Sequence, residues 1–140
     1  MHERFRSREF LALATCGLCL WLMARPPVAA AQNRFVGGAP TRSDVEVRPS
    51  RLRFEPGARS NWHSHGNFQI IMAEEGAGRT QVRGESLQEL RIGVPVYAAE
   101  GVVHWHGAAP DEHLVQLTFS SGETTWFEPV SESDYLGGRQ

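Results

Sequence analysis

Two pairs of histidines, each pair separated by one residue, are the side chains of this sequence most suited to chemistry. His63 and His65 form the first pair, and His104 and His106 form the second. Successive side chains of an extended chain point to opposite faces, so the two members of each pair share a face. Gln69 has the same parity as His65 if the strand continues past the intervening glycine. Two imidazoles and an amide oxygen on one face would supply half of an octahedral metal shell.

The second histidine pair extends this hypothesis, because a metal could recruit one or both of its imidazoles from a neighbouring strand. Chance clustering of surface histidines is the alternative interpretation. One pair would leave that alternative open, whereas two pairs in a small domain favour a metal site. All 14 basic residues are arginine, which excludes Schiff-base chemistry on a lysine amine.

Short runs of branched and aromatic residues, separated by glycine, proline or acidic turns, predict an all-β domain. Their spacing of roughly eight to twelve residues is typical of a sandwich or barrel. The predicted strands are 51–55, 68–73, 79–83, 87–92, 94–98, 113–119 and 124–127. No segment has a sustained helical period, apart from a short helical turn at 131–136.

The first 31 residues have the pattern of an export signal. Arg4, Arg6 and Arg8 precede an almost wholly apolar stretch at 10–23, and three alanines then offer a cleavage site. A membrane anchor is the alternative, but the stretch is shorter than the roughly 20 residues that a span needs. Residues 7–11 also resemble part of a twin-arginine signal, so that route and the general route both stay open. We therefore predict a periplasmic or secreted protein that leaves the membrane after cleavage.

The predicted organisation follows from this signal. We expect a signal peptide at 1–31, an N-terminal arm at 32–50, a β-domain at 51–136 and a tail at 137–140. Both cysteines fall in the signal, so packing, a metal or oligomerisation must stabilise the domain in place of disulfides. The formal net charge of −2 gives no electrostatic reason to expect nucleic acid as a partner.

The spacing around the first histidine pair resembles the first motif of the cupin superfamily. The residues that carry this resemblance are Gly57, His63, His65, Gln69 and Gly76, with glutamine where glutamate is usual. A second segment resembles the second cupin motif through Gly93, Ala99, Gly101 and His104, with alanine where proline is usual. The resemblance covers residues 51–135 and implies a single cupin barrel, also called a double-stranded β-helix or jelly roll. It also implies a divalent metal held by His63, His65, Gln69 and His104.

Within the cupins, residues 54–59, 62–65 and 104–110 are similar to small single-domain bacterial members. That group includes the manganese-dependent hydroxynitrile lyases, whose metal shell is likewise three histidines and one glutamine. The likeness implies manganese here, although nitrogen and oxygen ligands also admit iron, nickel, zinc or copper. It implies that His106 is not a ligand but an acid/base near the open metal positions, where a histidine with a pKa near neutrality can accept or give a proton. Gln116 stands where these lyases have a second active-site histidine, and we expect it to orient a substrate.

Three functions are compatible with this resemblance. The first is a metal-dependent lyase, similar to hydroxynitrile lyases, that acts on a small hydroxylated substrate. The second is a metal-dependent dioxygenase of the quercetinase kind, and the third is a non-catalytic cupin that binds a metal or a small ligand. The resemblance also implies a homodimer or higher homo-oligomer, because single-domain cupins pair their sheets across an interface.

Four other side chains receive structural interpretations. We expect His113 at the rim or facing solvent, and Arg59 paired with a surface carboxylate. We expect Tyr97 to be buried in a strand and Trp126 to belong to the core.

Overall fold

The computed structural model of the chain describes residues 35–138. The chain divides into two units, Met1–Pro40 and Thr41–Gln140. Residues 35–40 of the first unit contain no helix or strand, so every element below belongs to the second unit. The predicted signal peptide at 1–31 lies outside the described residues. Within residues 35–138, no helix has the length and hydropathy of a membrane span.

The described part of the second unit consists of nine strands and one short helix. In chain order they are β1 (Arg48–Phe54), β2 (His63–His65), β3 (Phe68–Gly76), β4 (Gly78–Val82), β5 (Gln88–Leu90), β6 (Pro95–Ala99), β7 (His104–Ala108), β8 (Leu114–Ser121), β9 (Thr124–Trp126) and α1 (Glu132–Tyr135). The strands form a four-stranded sheet, β1-β8-β3-β6, and a five-stranded sheet, β5-β4-β7-β2-β9. All ladders in both sheets are antiparallel. The mostly-β prediction is confirmed.

The two sheets are not closed, so the structure confirms the predicted barrel or jelly roll only as two antiparallel sheets. In the part of the chain that the structure describes, no ladder joins β1 to β9 or β5 to β6. An isolated bridge links Ala73 of β3 to Ile92, in the segment that follows β5. The edge strands β5 and β9 have three residues each, so they offer few backbone groups for pairing on a second side.

Some strand boundaries differ from those predicted. Strand β1 begins at Arg48, inside the predicted arm, because Arg48 pairs with Ser120 of β8. Strands β2 and β7 were not predicted, because their histidine-rich sequences lack the branched residues that mark the other strands. The helical turn at 131–136 is confirmed as α1, with Ser131 as its N-cap.

The space between the sheets has an apolar end and a polar end. The buried apolar cluster consists of Ile71, Ala73, Leu90, Ala108 and Leu114. Further along β3, β7 and β8, residues of the same parity are buried but polar, namely Gln69, His104, His106, Gln116 and Thr118. Because side chains alternate along a strand, these polar groups face the same interior as the apolar cluster.

A second buried cluster covers the opposite face of the five-stranded sheet. It consists of Trp62, Trp105, Val130 and Tyr135. The Tyr135 hydroxyl donates to the carbonyl oxygen of Ala108 at 2.8 Å, which ties the C-terminal segment to β7. Arg59 lies over the Tyr135 ring at 4.0 Å and pairs with Glu132 at 2.9 Å, as the surface-carboxylate prediction requires.

Two aromatic predictions are wrong. Tyr97 is 63% exposed, because it pairs with Ile70 on the outward face of the four-stranded sheet. Trp126 is 61% exposed, because it lies on the edge strand β9.

Candidate metal centre

The two histidine pairs lie side by side because β2 and β7 are neighbours in the five-stranded sheet. His63 is the direct cross-strand partner of His104. The ring centroid of His63 lies 4.4 Å from that of His104, 5.2 Å from that of His65 and 5.1 Å from that of His106. All four imidazoles are buried. The structure thus brings together the four histidines that the sequence singled out.

The four imidazoles are not equivalent in position. Ring nitrogens of His63, His104 and His106 lie within 4.8 Å of one another, which is compatible with a shared metal ion. His65 is not in this group, and its ring centroid lies 5.7 Å from that of His104. The Nε2 atom of His65 is buried without a hydrogen-bond partner. Since buried polar atoms are nearly always satisfied, this nitrogen indicates a ligand.

Backbone carbonyls fix the tautomer of two imidazoles. The Nδ1 atom of His63 lies 2.9 Å from the carbonyl oxygen of Asn61, and that of His104 lies 3.0 Å from that of Val102. A carbonyl oxygen can only accept, so each Nδ1 carries the proton and each Nε2 presents a lone pair. Metal-binding histidines commonly donate their other ring N–H in this way.

Gln69 adds an oxygen to these nitrogens. Its Oε1 lies 2.8 Å from the Nε2 of His104, while its own Nε2 donates to the Ser120 hydroxyl at 3.0 Å. Because the His104 proton is on Nδ1, the 2.8 Å contact brings two lone pairs together with no proton between them. A cation bound between the two lone pairs removes this repulsion. The distance also fits two ligands of one metal ion, because adjacent ligands at about 2.1 Å from a metal lie about 3 Å apart. The donor set therefore fits a divalent metal.

His106 has a different kind of partner. Its Nδ1 lies 3.2 Å from the amide nitrogen of Gln116, which also donates to the Thr118 hydroxyl at 2.7 Å. Gln116 is fully buried. A primary amide can donate to an imidazole or accept from it, so Gln116 is compatible with either tautomer of His106. His106 is therefore suited to exchange a proton at Nε2, whereas His63 and His104 are set as ligands.

Burial lowers the pKa of all four imidazoles. It lowers the pKa of His65 and of His104 to about 4, and that of His63 below its ordinary value. Burial also holds the pKa of His106 well below its ordinary value of 6.5, so the near-neutral pKa predicted for His106 is wrong. The imidazoles are therefore neutral at pH 7, which is the form that binds metals and accepts protons.

Close backbone packing supports the histidines from one side. A Cβ atom on Gly107 would lie 2.5 Å from the carbonyl oxygen of Ala58, so glycine lets the segment before β2 approach β7. The approach brings the Ser60 hydroxyl to 3.4 Å from His63 Nδ1, and the Ser60 N–H donates to the His106 carbonyl at 3.0 Å.

Other residues lie around this centre. The Thr124 hydroxyl is 3.2 Å from the Nδ1 of His65, and the ring centroid of Trp126 is 4.9 Å from that of His63. No pattern in the sequence pointed to Thr124, because strand β2 and its pairing with β9 depend on contacts between distant parts of the chain. His113 lies outside the site, where its Nε2 is 3.1 Å from Glu75, as the rim prediction requires.

Comparisons with known proteins bear on the family and the fold of the chain. No protein-family model matches the chain. An (R)-mandelonitrile lyase from Granulicella tundricola is 36% identical over 93 residues, which cover 64% of this chain and 71% of that protein. A cupin-like protein of known structure from Thermotoga maritima is 40% identical, with a TM-score of 0.63 over 66% of this chain and 73% of that chain. The chain belongs to the cupin superfamily.

A more distant similarity concerns the fold of this cupin alone. A DMSP lyase from Ruegeria pomeroyi is 19% identical, with a TM-score of 0.54 over 64% of this cupin and 47% of that chain. The buried histidines and the relatives together support a metal-binding cupin enzyme with a divalent metal.

Proposed function

We propose that this cupin is a metal-dependent lyase that cleaves a small hydroxylated substrate, with cyanohydrin cleavage as the reference reaction. The observation that carries the proposal is the 2.8 Å contact between the lone pairs of Gln69 Oε1 and His104 Nε2 inside a buried histidine cluster. The 36% identity to a mandelonitrile lyase supports the reaction class.

The proposed ligands are His63, His65, Gln69 and His104, and the expected ion is manganese. The tautomers of His63 and His104 and the unsatisfied Nε2 of His65 support this set. All four donors are neutral, so the full charge of a divalent ion remains at the site. A metal bound there would act as a Lewis acid that lowers the pKa of a substrate hydroxyl.

His106 is the catalytic residue of this proposal. Its Nε2 takes the hydroxyl proton in the tautomer that carries the other proton on Nδ1. In that state the Gln116 amide, whose nitrogen lies 3.2 Å from Nδ1 in the structure, turns so that its oxygen accepts from Nδ1. As the carbonyl group of the product forms, the bond to the nitrile carbon breaks and its electron pair leaves with cyanide. His106 then returns the proton to cyanide, so that an aldehyde and hydrogen cyanide depart and the imidazole is neutral again.

Gln116 has a different role in this proposal from the one that the sequence indicated. We expected it to orient the substrate, but its amide contacts His106 and Thr118 in a fully buried position. We therefore assign Gln116 to positioning His106.

The test is a cleavage assay on the manganese-loaded protein, with mandelonitrile as substrate and the absorbance of benzaldehyde as the readout. We expect turnover above the buffer rate, and a loss of about 100-fold or more in His106→Ala, the usual size of a general acid/base contribution. His113→Ala is the matched control, because His113 lies outside the site, and it should retain full turnover. Equal turnover in His106→Ala and the wild type would refute the acid/base role. Oxygen uptake without cleavage would refute the lyase function and favour the dioxygenase function.

Export and self-association stay predictions. The signal peptide lies outside the described residues. Self-association is supported by an uncharged row on the outward face of the four-stranded sheet, formed by Tyr97, Ile70 and Phe119. A second copy of this chain could cover that row without bringing like charges together. Light scattering of the purified protein measures the oligomeric state, and a monomer at micromolar concentration would contradict self-association.

A further inference from the structure

Arg48 is a cation on the inward face of the four-stranded sheet. It pairs across β1 and β8 with Ser120, and Ser120 pairs in turn with Gln69 of β3. Directly opposite residues of a sheet share a face, so Arg48 lies in the same inward row as the proposed ligand Gln69. The Ser120 hydroxyl accepts a hydrogen bond from Gln69, which confirms that this row faces the metal centre.

The guanidinium of Arg48 is held in place at one end. Its Nη2 donates to the carbonyl oxygen of Gly122, in the turn between β8 and β9. A Cβ atom on Gly122 would lie 2.7 Å from the backbone nitrogen of Asn67, so this turn packs against the turn that follows His65. Arg48 is thus an exposed cation held by the β8–β9 turn, which packs against the turn that follows His65.

Arg48 differs in its partners from the other arginines of β1. Among residues 35–138, Arg48 takes part in no ion pair, whereas Arg51 and Arg53 on the opposite face of β1 pair with Glu74 and Glu55. The proposed metal ligands are neutral as well. One carbonyl uses a single N–H of Arg48, and the remaining donors of the planar fork match the geometry of a carboxylate.

We propose that Arg48 binds a carboxylate of the substrate, so that this site takes small hydroxylated carboxylic acids whose hydroxyl faces the metal centre. This inference rests on the proposed function for the placement of the hydroxyl. The carboxylate and the hydroxyl belong to separate ends of the substrate, because Arg48 and Gln69 are separated by strand β8.

Two probes of matched shape test the inference, 4-(hydroxymethyl)benzoate and its neutral amide. The ring keeps the carboxylate away from the hydroxyl, so one metal ion cannot bind both groups. We would measure the dissociation constant of each probe by calorimetry with the manganese-loaded protein. We expect the carboxylate to bind at least about ten-fold more tightly than the amide, as for a charge-assisted hydrogen bond.

Substitutions assign this preference to Arg48. Arg48→Gln should weaken carboxylate binding by about ten-fold or more and leave amide binding within about two-fold. Arg48→Lys should give an intermediate loss, because it keeps the charge without the planar fork. Arg51→Gln, on the outer face of the same strand, should change neither constant. Metal content and melting temperature establish that each variant is folded and loaded.

Three results would overturn the inference. Equal losses for both probes in Arg48→Gln would make Arg48 a structural clamp between β1 and the β8–β9 turn. A wild type that binds the amide as tightly as the carboxylate would refute the inference and leave the proposed function standing. Failure of the manganese-loaded wild type to bind either probe would overturn the inference, and the mandelonitrile assay would decide separately on the proposed function.

Discussion

Strand β7 has two faces with different tasks. His104 and His106 face the space between the sheets, while Trp105, between them, packs on the other face against Tyr135 with ring centroids 5.6 Å apart. The indole N–H of Trp105 donates to Gln81 at 3.0 Å. In contrast, the buried side-chain atoms without a hydrogen-bond partner among the described residues, His65 Nε2 and Gln116 Oε1, both lie at the histidine cluster. The face whose buried indole N–H is hydrogen-bonded stabilises the fold, whereas the face with unpaired buried polar atoms is suited to binding a ligand.

The largest expected effect comes from truncating Trp105 on the aromatic face of β7, which is the face that packs against Tyr135. Trp105 is fully buried, so Trp105→Ala should lower the free energy of unfolding by about 3–5 kcal/mol. Urea denaturation measures this loss. Trp126→Ala is the control, because Trp126 is 61% exposed and should cost much less. Comparable losses for the two variants would contradict the difference between the faces.

Removing the metal should destabilise the imidazole face of β7, which is the face that carries His104 and His106. A ligand that binds only the folded state at 100 times its dissociation constant adds about 2.7 kcal/mol. For a domain of this size, chelation should then lower the melting temperature by roughly 10 °C. Thermal unfolding with and without chelator measures the shift, which His63→Ala should abolish and His113→Ala should retain. An unchanged melting temperature after verified metal removal would show that the metal does not stabilise this face.

The smallest expected effect tests whether the aromatic face and the imidazole face are coupled. Tyr135→Phe removes one hydrogen bond, to the carbonyl of Ala108, and keeps the ring. We expect a loss of about 0.5–1.5 kcal/mol in the free energy of unfolding, with metal content unchanged. Denaturation and elemental analysis of the same sample measure both quantities. Loss of metal in this variant would mean that the two faces are coupled.

The sequence was sufficient to find the histidines and the strand class. Parity along an extended chain placed the two members of each histidine pair on one face before any strand was known. It did not reveal that β2 and β7 are strands, because pairing with neighbours defines them more than composition does. The open edges of the sheets also had no local signal, since closure depends on pairing between residues far apart in the chain.

The roles within the site depended on contacts that no spacing contains. Gln116 lies against His106 because β8 crosses the same interior as β7, which the sequence could not show. Arg48 was assigned to an arm, because nothing in residues 32–50 indicates pairing with Ser120. Burial also shifted the pKa of His106 away from neutrality, and burial is a property of the folded chain.

The measurement that tests the account most directly is the manganese content of His65→Ala and His106→Ala, each compared with the wild type. If the proximity of ring nitrogens decided the ligands, His106 would be the third histidine ligand, beside His63 and His104. The unsatisfied Nε2 atom of His65 assigns that third position to His65 instead. We predict that His65→Ala loses metal affinity by about ten-fold or more, while His106→Ala keeps close to one ion per chain. Loss of manganese in His106→Ala with normal content in His65→Ala would contradict the assignment.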